Sequence, residues 1–233
     1  MIRRRVASDD AARLFEEKGS EFFKDPWAAR DAYIRVIHDR KKNLKPFLAE
    51  HATKPLTGRD LITALRLMEM QRNAMLMYTS CGWFFTELSG IETAQILQYA
   101  ARVLQLHLQV SGRDLEEDFL KKLDQAPSNV PFFGNGRGVY DRFAKPAVAT
   151  LRHIVSYYAI GSIFEEDTSV RSHLSFYCFD LDIAHRRIER FGTTTLNVGR
   201  VKIASRITGS DGDVMYVVVQ SGLYDFRCSV IPF

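Results

Sequence analysis

Hydrophobic residues recur at helical spacing over most of the first two thirds of the chain. The clearest run lies between Gly90 and Ser111, where apolar positions follow the i, i+3, i+4, i+7 rhythm without a gap. An earlier run follows Thr57-Gly58-Arg59-Asp60, a helix-start sequence, and ends near Ser80. The pattern predicts two long helices joined by a corner. Their apolar positions are Leu61, Ala64, Leu65, Met68, Met75 and Leu76, then Ile96, Leu97, Ala100, Val103, Leu104, His107 and Leu108.

Shorter helical patterns flank this pair. Asp25-Pro26 is a helix start, because aspartate accepts from free amides and proline has no amide to satisfy. Ser89-Gly90-Ile91-Glu92 has capping-box spacing, so the second long helix is expected to begin at about Gly90. The flanking patterns predict helices over residues 8–23, 27–42, 44–51, 114–123 and 140–164, with a loop over residues 127–138. Pro146 is expected to kink or start the last of these helices.

The hydrophobic period changes from 3.6 to 2 after Glu165-Glu166-Asp167. Val201 and Ile203 alternate with charged residues, which indicates a strand with one buried face. Further strands are predicted over residues 174–183, 214–220 and 223–231, with a hairpin at residues 210–213.

Helices therefore precede strands, which predicts an α+β fold. We expect a helical bundle over residues 1–167, followed by a C-terminal antiparallel β-sheet or sandwich over residues 168–233. The apolar end at Ile231-Pro232-Phe233 suggests a domain cut from a longer protein.

The corner between the long helices has an unusual composition. Cys81-Gly82-Trp83-Phe84-Phe85 is too apolar for a solvated loop. It is expected either to be buried against the rest of the fold or to face a ligand or another domain. Trp83 is the leading candidate for stacking on an amphipathic ligand, because a large flat ring with one donor suits such a ligand. The alternative is that Trp83, Phe84 and Phe85 are simply core residues.

Glu87 is the only carboxylate of this corner with an unusual neighbourhood. Beside Trp83 and Phe84 its pKa is expected to be raised by apolar surroundings. The alternative is a helix-entry acid that accepts hydrogen bonds from nearby amides. Glycoside hydrolysis requires two carboxylates, so Glu87 alone does not predict catalysis.

Charge and composition exclude several other functions. The net charge of +4 is weak, and no basic run is longer than the three residues of Arg3-Arg4-Arg5, so no nucleic-acid partner is expected. No apolar run reaches the roughly 18 residues that span a bilayer, and no membrane association is expected. Three widely separated cysteines fit a reducing compartment, so the cytoplasm is the expected location. Metal-binding and nucleotide-binding motifs are absent, so neither a metal nor a cofactor is expected.

Several segments of the chain resemble the C-terminal region of proteins related to glycoside hydrolase family 57, which includes α-amylase and α-mannosidase relatives. The resemblance extends over most of the length of the chain and is carried by short segments. They are residues 23–31, Met70-Gln71-Arg72, residues 77–85, Ser89-Gly90-Ile91-Glu92-Thr93, residues 126–131, Val198-Gly199-Arg200-Val201 and residues 205–209.

The resemblance implies a region that follows an N-terminal catalytic barrel and has no defined function of its own. In such proteins the barrel holds both catalytic carboxylates, and the helical bundle lends aromatic residues to the active-site cleft. The implied partners are that barrel, which this chain lacks, and an oligosaccharide. The implied binding residues are Trp83, Tyr78, Glu87, Phe84 and Arg72, with no catalytic residue.

Two other functions remain open at this stage. One is a non-enzymatic scaffold or protein-interaction module. A weaker one is a self-contained enzyme that pairs Glu87 with Asp31 or another distant acid.

Overall fold

The computed structural model describes residues 5–165 and 172–233. Within these ranges it describes every side chain except those of Arg5, Val6 and Trp83. The α-helices are α1 (Arg5–Gly19), α2 (Pro26–Ala32), α3 (Ile34–His38), α4 (Arg40–His51), α5 (Gly58–Leu76), α6 (Cys81–Phe84), α7 (Ile91–Ser111), α8 (Glu116–Leu123), α9 (Gly136–Val139) and α10 (Leu151–Gly161). The strands are β1 (His173–Phe176), β2 (Phe179–Phe191), β3 (Thr194–Ser205), β4 (Asp211–Ser221) and β5 (Asp225–Pro232).

Two compact units divide the chain, Met1–Val148 and Ala149–Phe233. The first is a helical bundle whose centre is the antiparallel pair α5 and α7. Leu67 and Met70 of α5 and Leu106 of α7 are completely buried. Both helices are longer than their neighbours because their apolar positions repeat without interruption, as the sequence pattern predicts.

The start of α2 follows the sequence signal. The Asp25 side chain accepts from the amide of Ala28 at 3.0 Å, and Pro26 takes the first helical position. The expected helix over residues 27–42 is interrupted at Tyr33 and again at Asp39, which caps α4 by accepting from the amide of Lys42. Three helices thus replace the two that were predicted over residues 27–42 and 44–51, and they turn the chain around the buried ring of Phe47.

The expected helix over residues 140–164 is not continuous and is broken close to Pro146, where a kink or a start was expected. A π-helical turn at Tyr140–Ala144 and a 3-10 turn at Lys145–Ala147 come first, and α10 begins only at Leu151. Pro146 has no amide to donate and lies within the 3-10 turn, and the backbone then becomes extended at Val148 and Thr150, where the break falls. The Thr150 side chain then caps α10 by accepting from the amide of His153.

The second unit is a five-stranded antiparallel sheet in the order β1-β2-β3-β4-β5, with α10 packed on one face. Alternate residues of β3 and β4 are buried, including Val201, Ile203 and Val218. The buried amide of Asn197 donates to the carbonyl of Ala159 at 2.8 Å and so ties β3 to α10.

These observations confirm the α+β class, with helices first and antiparallel strands last. The prediction left open a single sheet or a sandwich, and the strands of the described residues form a single sheet. The chain divides at Val148 and Ala149, before the expected boundary at residue 167, because α10 packs with the strands. The loop of the predicted hairpin lies at residues 206–210, and Asp211 already belongs to β4.

Candidate functional site

The corner between α5 and α7 contains a short helix, where a loop was expected. Helix α5 ends at Leu76, and Cys81–Phe84 forms the single turn α6 before α7 starts at Ile91. A Cβ atom on Gly82 would lie 2.3 Å from Cδ1 of Ile96, so only glycine allows this approach of α6 to α7. The close contact fixes the position of the aromatic residues that follow.

Two of the three corner rings are exposed. The exposed fractions are 73% for Phe84 and 52% for Phe85, and the two rings meet edge to face with centroids 5.3 Å apart. The side chain of Trp83 lies outside the described residues; its backbone belongs to α6. We call Phe84 and Phe85 the aromatic corner. Adjacent exposed aromatic rings are typical of sites that contact a ligand or another protein.

Glu87 is held by the loop at residues 126–135. Its Oε1 atom accepts from the hydroxyl of Ser128 at 2.7 Å and from the amide of Ser89 at 2.9 Å. Its Oε2 atom accepts from the amide of Asn129 at 2.8 Å, and the Asn129 side chain donates to the carbonyl of Thr86 at 3.1 Å. The carboxylate therefore fastens a distant loop beside the aromatic corner.

The expectation of a raised pKa for Glu87 is wrong. The hydrogen bond from Ser128 and then the amides of Ser89 and Asn129 stabilise the charged form and lower the pKa of Glu87 to about 2. The alternative of a helix-entry acid bonded to amides describes this environment. The predicted capping box is not formed, because the Ser89 amide already donates to Glu87 and α7 has Gly90 at its N-cap without a side-chain hydrogen bond.

Tyr78 and the loop supply further surface groups near the corner. Tyr78 is half exposed, and its hydroxyl donates to Oγ of Ser8 on α1 at 2.9 Å. Phe132, in the loop that Glu87 fastens, is also exposed and packs edge to face on Phe133. Of the predicted site residues, the structure thus groups Phe84 and Glu87 in the corner, with Tyr78 at the exit of α5.

Arg72 lies elsewhere, on the side of α5 that faces α2 and α3. It lines a pocket of about 330 Å³ together with Arg30, Asp31, Ile34, Ile37 and Met75. Asp31 is paired there with Arg30, whereas Glu87 is bonded to the loop of Ser128, so the structure shows no contact between the two acids. Arg72 therefore lines a different part of the surface from Phe84 and Glu87.

The sequence analysis missed a buried charged cluster behind this pocket. Glu69 is almost fully buried, and its Oε1 atom accepts from the hydroxyl of Tyr33 at 2.7 Å and from Arg40 at 2.8 Å. Its Oε2 atom accepts from Arg72 at 3.2 Å. Burial raises the pKa of Tyr33 well above its ordinary value, so its hydroxyl stays protonated and donates.

A pattern in the sequence could have revealed this cluster. Glu69 and Gln71 alternate with Met68 and Met70 inside a helical segment that is apolar on most sides. Buried carboxylates require donors, so such a glutamate predicts cationic or hydroxyl partners in the fold.

Some classes of site are not found in the described part of the chain. Residues 5–165 and 172–233 contain no group of three or more metal-ligating side chains placed to hold a metal ion. Among the same residues, no helix combines the length and apolar character needed to cross a bilayer.

The fold and the corner define an α+β protein with a helical bundle, a C-terminal meander sheet and exposed aromatic residues at a helical corner. The family model described as a domain of unknown function (DUF3536) matches residues 5–233, and the chain belongs to this family. No curated protein and no solved structure matches the chain.

Proposed function

We propose that this chain is the accessory C-terminal portion of a carbohydrate-active enzyme related to glycoside hydrolase family 57. In this proposal the aromatic corner completes a sugar-binding cleft, and a catalytic barrel preceding the chain in the same protein supplies the catalytic groups. The observation that supports the proposal is the exposure of Phe84 and Phe85 on a short helix held in place by Gly82 and Glu87.

The chemistry of the corner suits a sugar. A pyranose ring has an apolar face that stacks on aromatic side chains and a rim of hydroxyl groups that require polar partners. The Oε2 atom of Glu87 accepts one protein hydrogen bond and can accept another from a sugar hydroxyl. Because the pKa of Glu87 is about 2, the side chain is a charged acceptor at neutral pH.

The same geometry argues against Glu87 as a general acid. A general acid must be protonated near the working pH, and a carboxyl whose pKa is about 2 is ionised there. The self-contained enzyme that pairs Glu87 with Asp31 gains no support, because Asp31 faces the α2–α5 pocket. We therefore assign binding and positioning to the corner, and no catalytic step.

Titration of the purified chain with maltooligosaccharides tests sugar binding. Fluorescence reports it, since Trp83 is one of only two tryptophans. We expect a saturable change in the wild type that is lost in Trp83→Ala and weakened in Phe84→Ala. Tyr224→Ala, which removes an exposed ring from the second unit, is the matched control and should bind as the wild type does. A flat titration of the wild type, confirmed by calorimetry, contradicts sugar binding by this chain.

A protein-interaction module is the second candidate function. Phe84, Phe85 and Phe132 carry no polar atom in their side chains, and rings of this kind also anchor protein interfaces. A test for a barrel encoded upstream in the same reading frame separates the two functions. If a barrel is present and binds the chain with an affinity that Phe84→Ala lowers while no sugar binds, the corner is an interface only.

A further inference from the structure

The pocket between α2, α3 and α5 combines apolar walls with two arginine side chains. Ile34 and Met75 are large apolar residues with about half of their surface exposed, and both line the pocket with Ile37. Ligand sites in proteins are commonly concave and apolar, with a few polar groups that fix orientation. The exposed apolar surface here is gathered around one concavity of about 330 Å³.

The two arginines that line the pocket are engaged to different degrees. Arg30 is paired with Asp31 through two hydrogen bonds of 2.9 and 2.6 Å, from its Nε and Nη2 atoms. Arg72 belongs to a cluster in which the Glu69 carboxylate is shared by the guanidinium groups of Arg40 and Arg72.

Arg72 is the member of that cluster with donors still available. Within residues 5–165 and 172–233 its side chain donates only from Nη1, to Oε2 of Glu69 at 3.2 Å. The remaining edge of the guanidinium, Nη2 and Nε, can form two parallel hydrogen bonds with a carboxylate or phosphate. Glu69 fixes the orientation of this edge, and Glu69 is itself held by Tyr33 and Arg40.

We propose that this pocket binds a small organic anion with an apolar body. Its oxyanion pairs with Arg72, and its apolar part lies on Ile34, Ile37 and Met75. The two acceptor oxygens of a carboxylate match the Nη2 and Nε donors on that edge of Arg72. The proposal is independent of sugar binding at the aromatic corner, because it concerns different residues and a different class of ligand.

Binding of hexanoate to the full chain, followed by protein-observed NMR, tests the proposal. We expect saturable shifts centred on Ile34, Ile37 and Met75, and much weaker binding of hexanol, which has the same chain without the charge. Arg72→Gln should weaken hexanoate binding by about tenfold or more, because a charge-assisted pair is lost. Met75→Glu, a change at a half-exposed position, should abolish binding by charge repulsion while the fold is kept.

Two controls make the result decisive. Arg59→Gln removes an exposed arginine from the first turn of the same helix and should leave binding unchanged. Phe84→Ala, which alters the aromatic corner, should also have no effect. Absence of saturable binding to the wild type, equal binding of hexanol and hexanoate, or equal binding by Arg72→Gln would each overturn the proposal.

Discussion

At the scale of single residues, Glu87 both holds a loop in place and lies beside the aromatic corner that we propose as a binding surface. Its hydrogen bonds with Ser128 and Asn129 join positions about forty residues apart in the chain. The aromatic corner lies directly before Glu87 in the sequence, so fastening the loop also restricts the corner. The residue therefore supports the proposed surface whether or not it contacts a ligand.

The hydrogen bonds of Glu87 predict a defined pH dependence. Its pKa is lowered from 4.5 to about 2 on folding, so its stabilising contribution is complete above pH 4.5 and is lost as the pH falls through 2. Ser128→Ala removes the largest cause of the shift and should raise the pKa of Glu87 toward 4.5. Carboxyl NMR titration measures both values. Ser20→Ala is the control, because the Ser20 hydroxyl donates to the carbonyl of Glu16 in α1. This change should leave the pKa of Glu87 as it is. An unchanged pKa in Ser128→Ala would contradict this assignment.

A second residue-scale prediction concerns Tyr177, which has a positive φ of 50° in the two-residue turn between β1 and β2. This backbone conformation costs an L-residue other than glycine roughly 1–2 kcal/mol. Tyr177→Gly should therefore be more stable than Tyr177→Ala by about 1 kcal/mol, since both variants lose the same ring but only glycine relieves the strain. Urea unfolding followed by sheet circular dichroism measures the difference. Equal stabilities of the two variants would show that the turn relaxes at no cost.

The sequence could predict which residues of the corner were unusual, but not their chemistry. Glu87 was identified by its aromatic neighbours, yet its pKa depends on Ser128, which no local pattern connects with it. Arg72 was grouped with the corner because the family resemblance includes Met70-Gln71-Arg72. The structure places Arg72 beside Glu69 and Arg30, because residues on one helix point to different sides.

At the scale of elements, the contact of α6 with α7 depends on the absence of a side chain. Gly82→Ala would place a methyl group 2.3 Å from Cδ1 of Ile96 and should destabilise the first unit by about 1–3 kcal/mol. Ile96→Ala alone should also destabilise, through loss of buried apolar surface. The double variant should cost less than the sum of the single changes, because the side chain that the new methyl meets is gone. Thermal unfolding of the wild type, the two single variants and the double variant measures this coupling. If the two losses of stability simply add, the contact between residue 82 and Ile96 is contradicted.

Element types were more predictable than element boundaries. The α5 and α7 pair was predicted from periodicity because both helices bury one face over several turns. The region of α2, α3 and α4 was read as a long and a shorter helix, because the breaks at Tyr33 and Asp39 arise from packing around Phe47. The expected hairpin at residues 210–213 was displaced, because Asp211 and Gly212 pair with β3 as strand residues.

At the scale of the whole molecule, the position of α10 decides what counts as a unit. The order of helices before strands suggests that every helix belongs to the bundle. However, the buried face of α10, with Val155 and Ala159, lies in the core of the sheet. The apolar period of α10 alone could not reveal this partner, since it would suit packing on a helix equally well.

This division predicts how the chain can be cut. A fragment of residues 149–233 should fold cooperatively, whereas residues 168–233 should not, because the sheet would then expose the face that α10 covers. The shorter fragment also leaves the Asn197 amide without its acceptor at Ala159 and its partner Ser162. Dispersed NMR spectra and a cooperative urea transition should be seen for the longer fragment only. The fragment of residues 1–148, which keeps the bundle core, should fold independently and is the control for the cut. A dispersed spectrum and equal stability for residues 168–233 would show that α10 is not part of the folding unit.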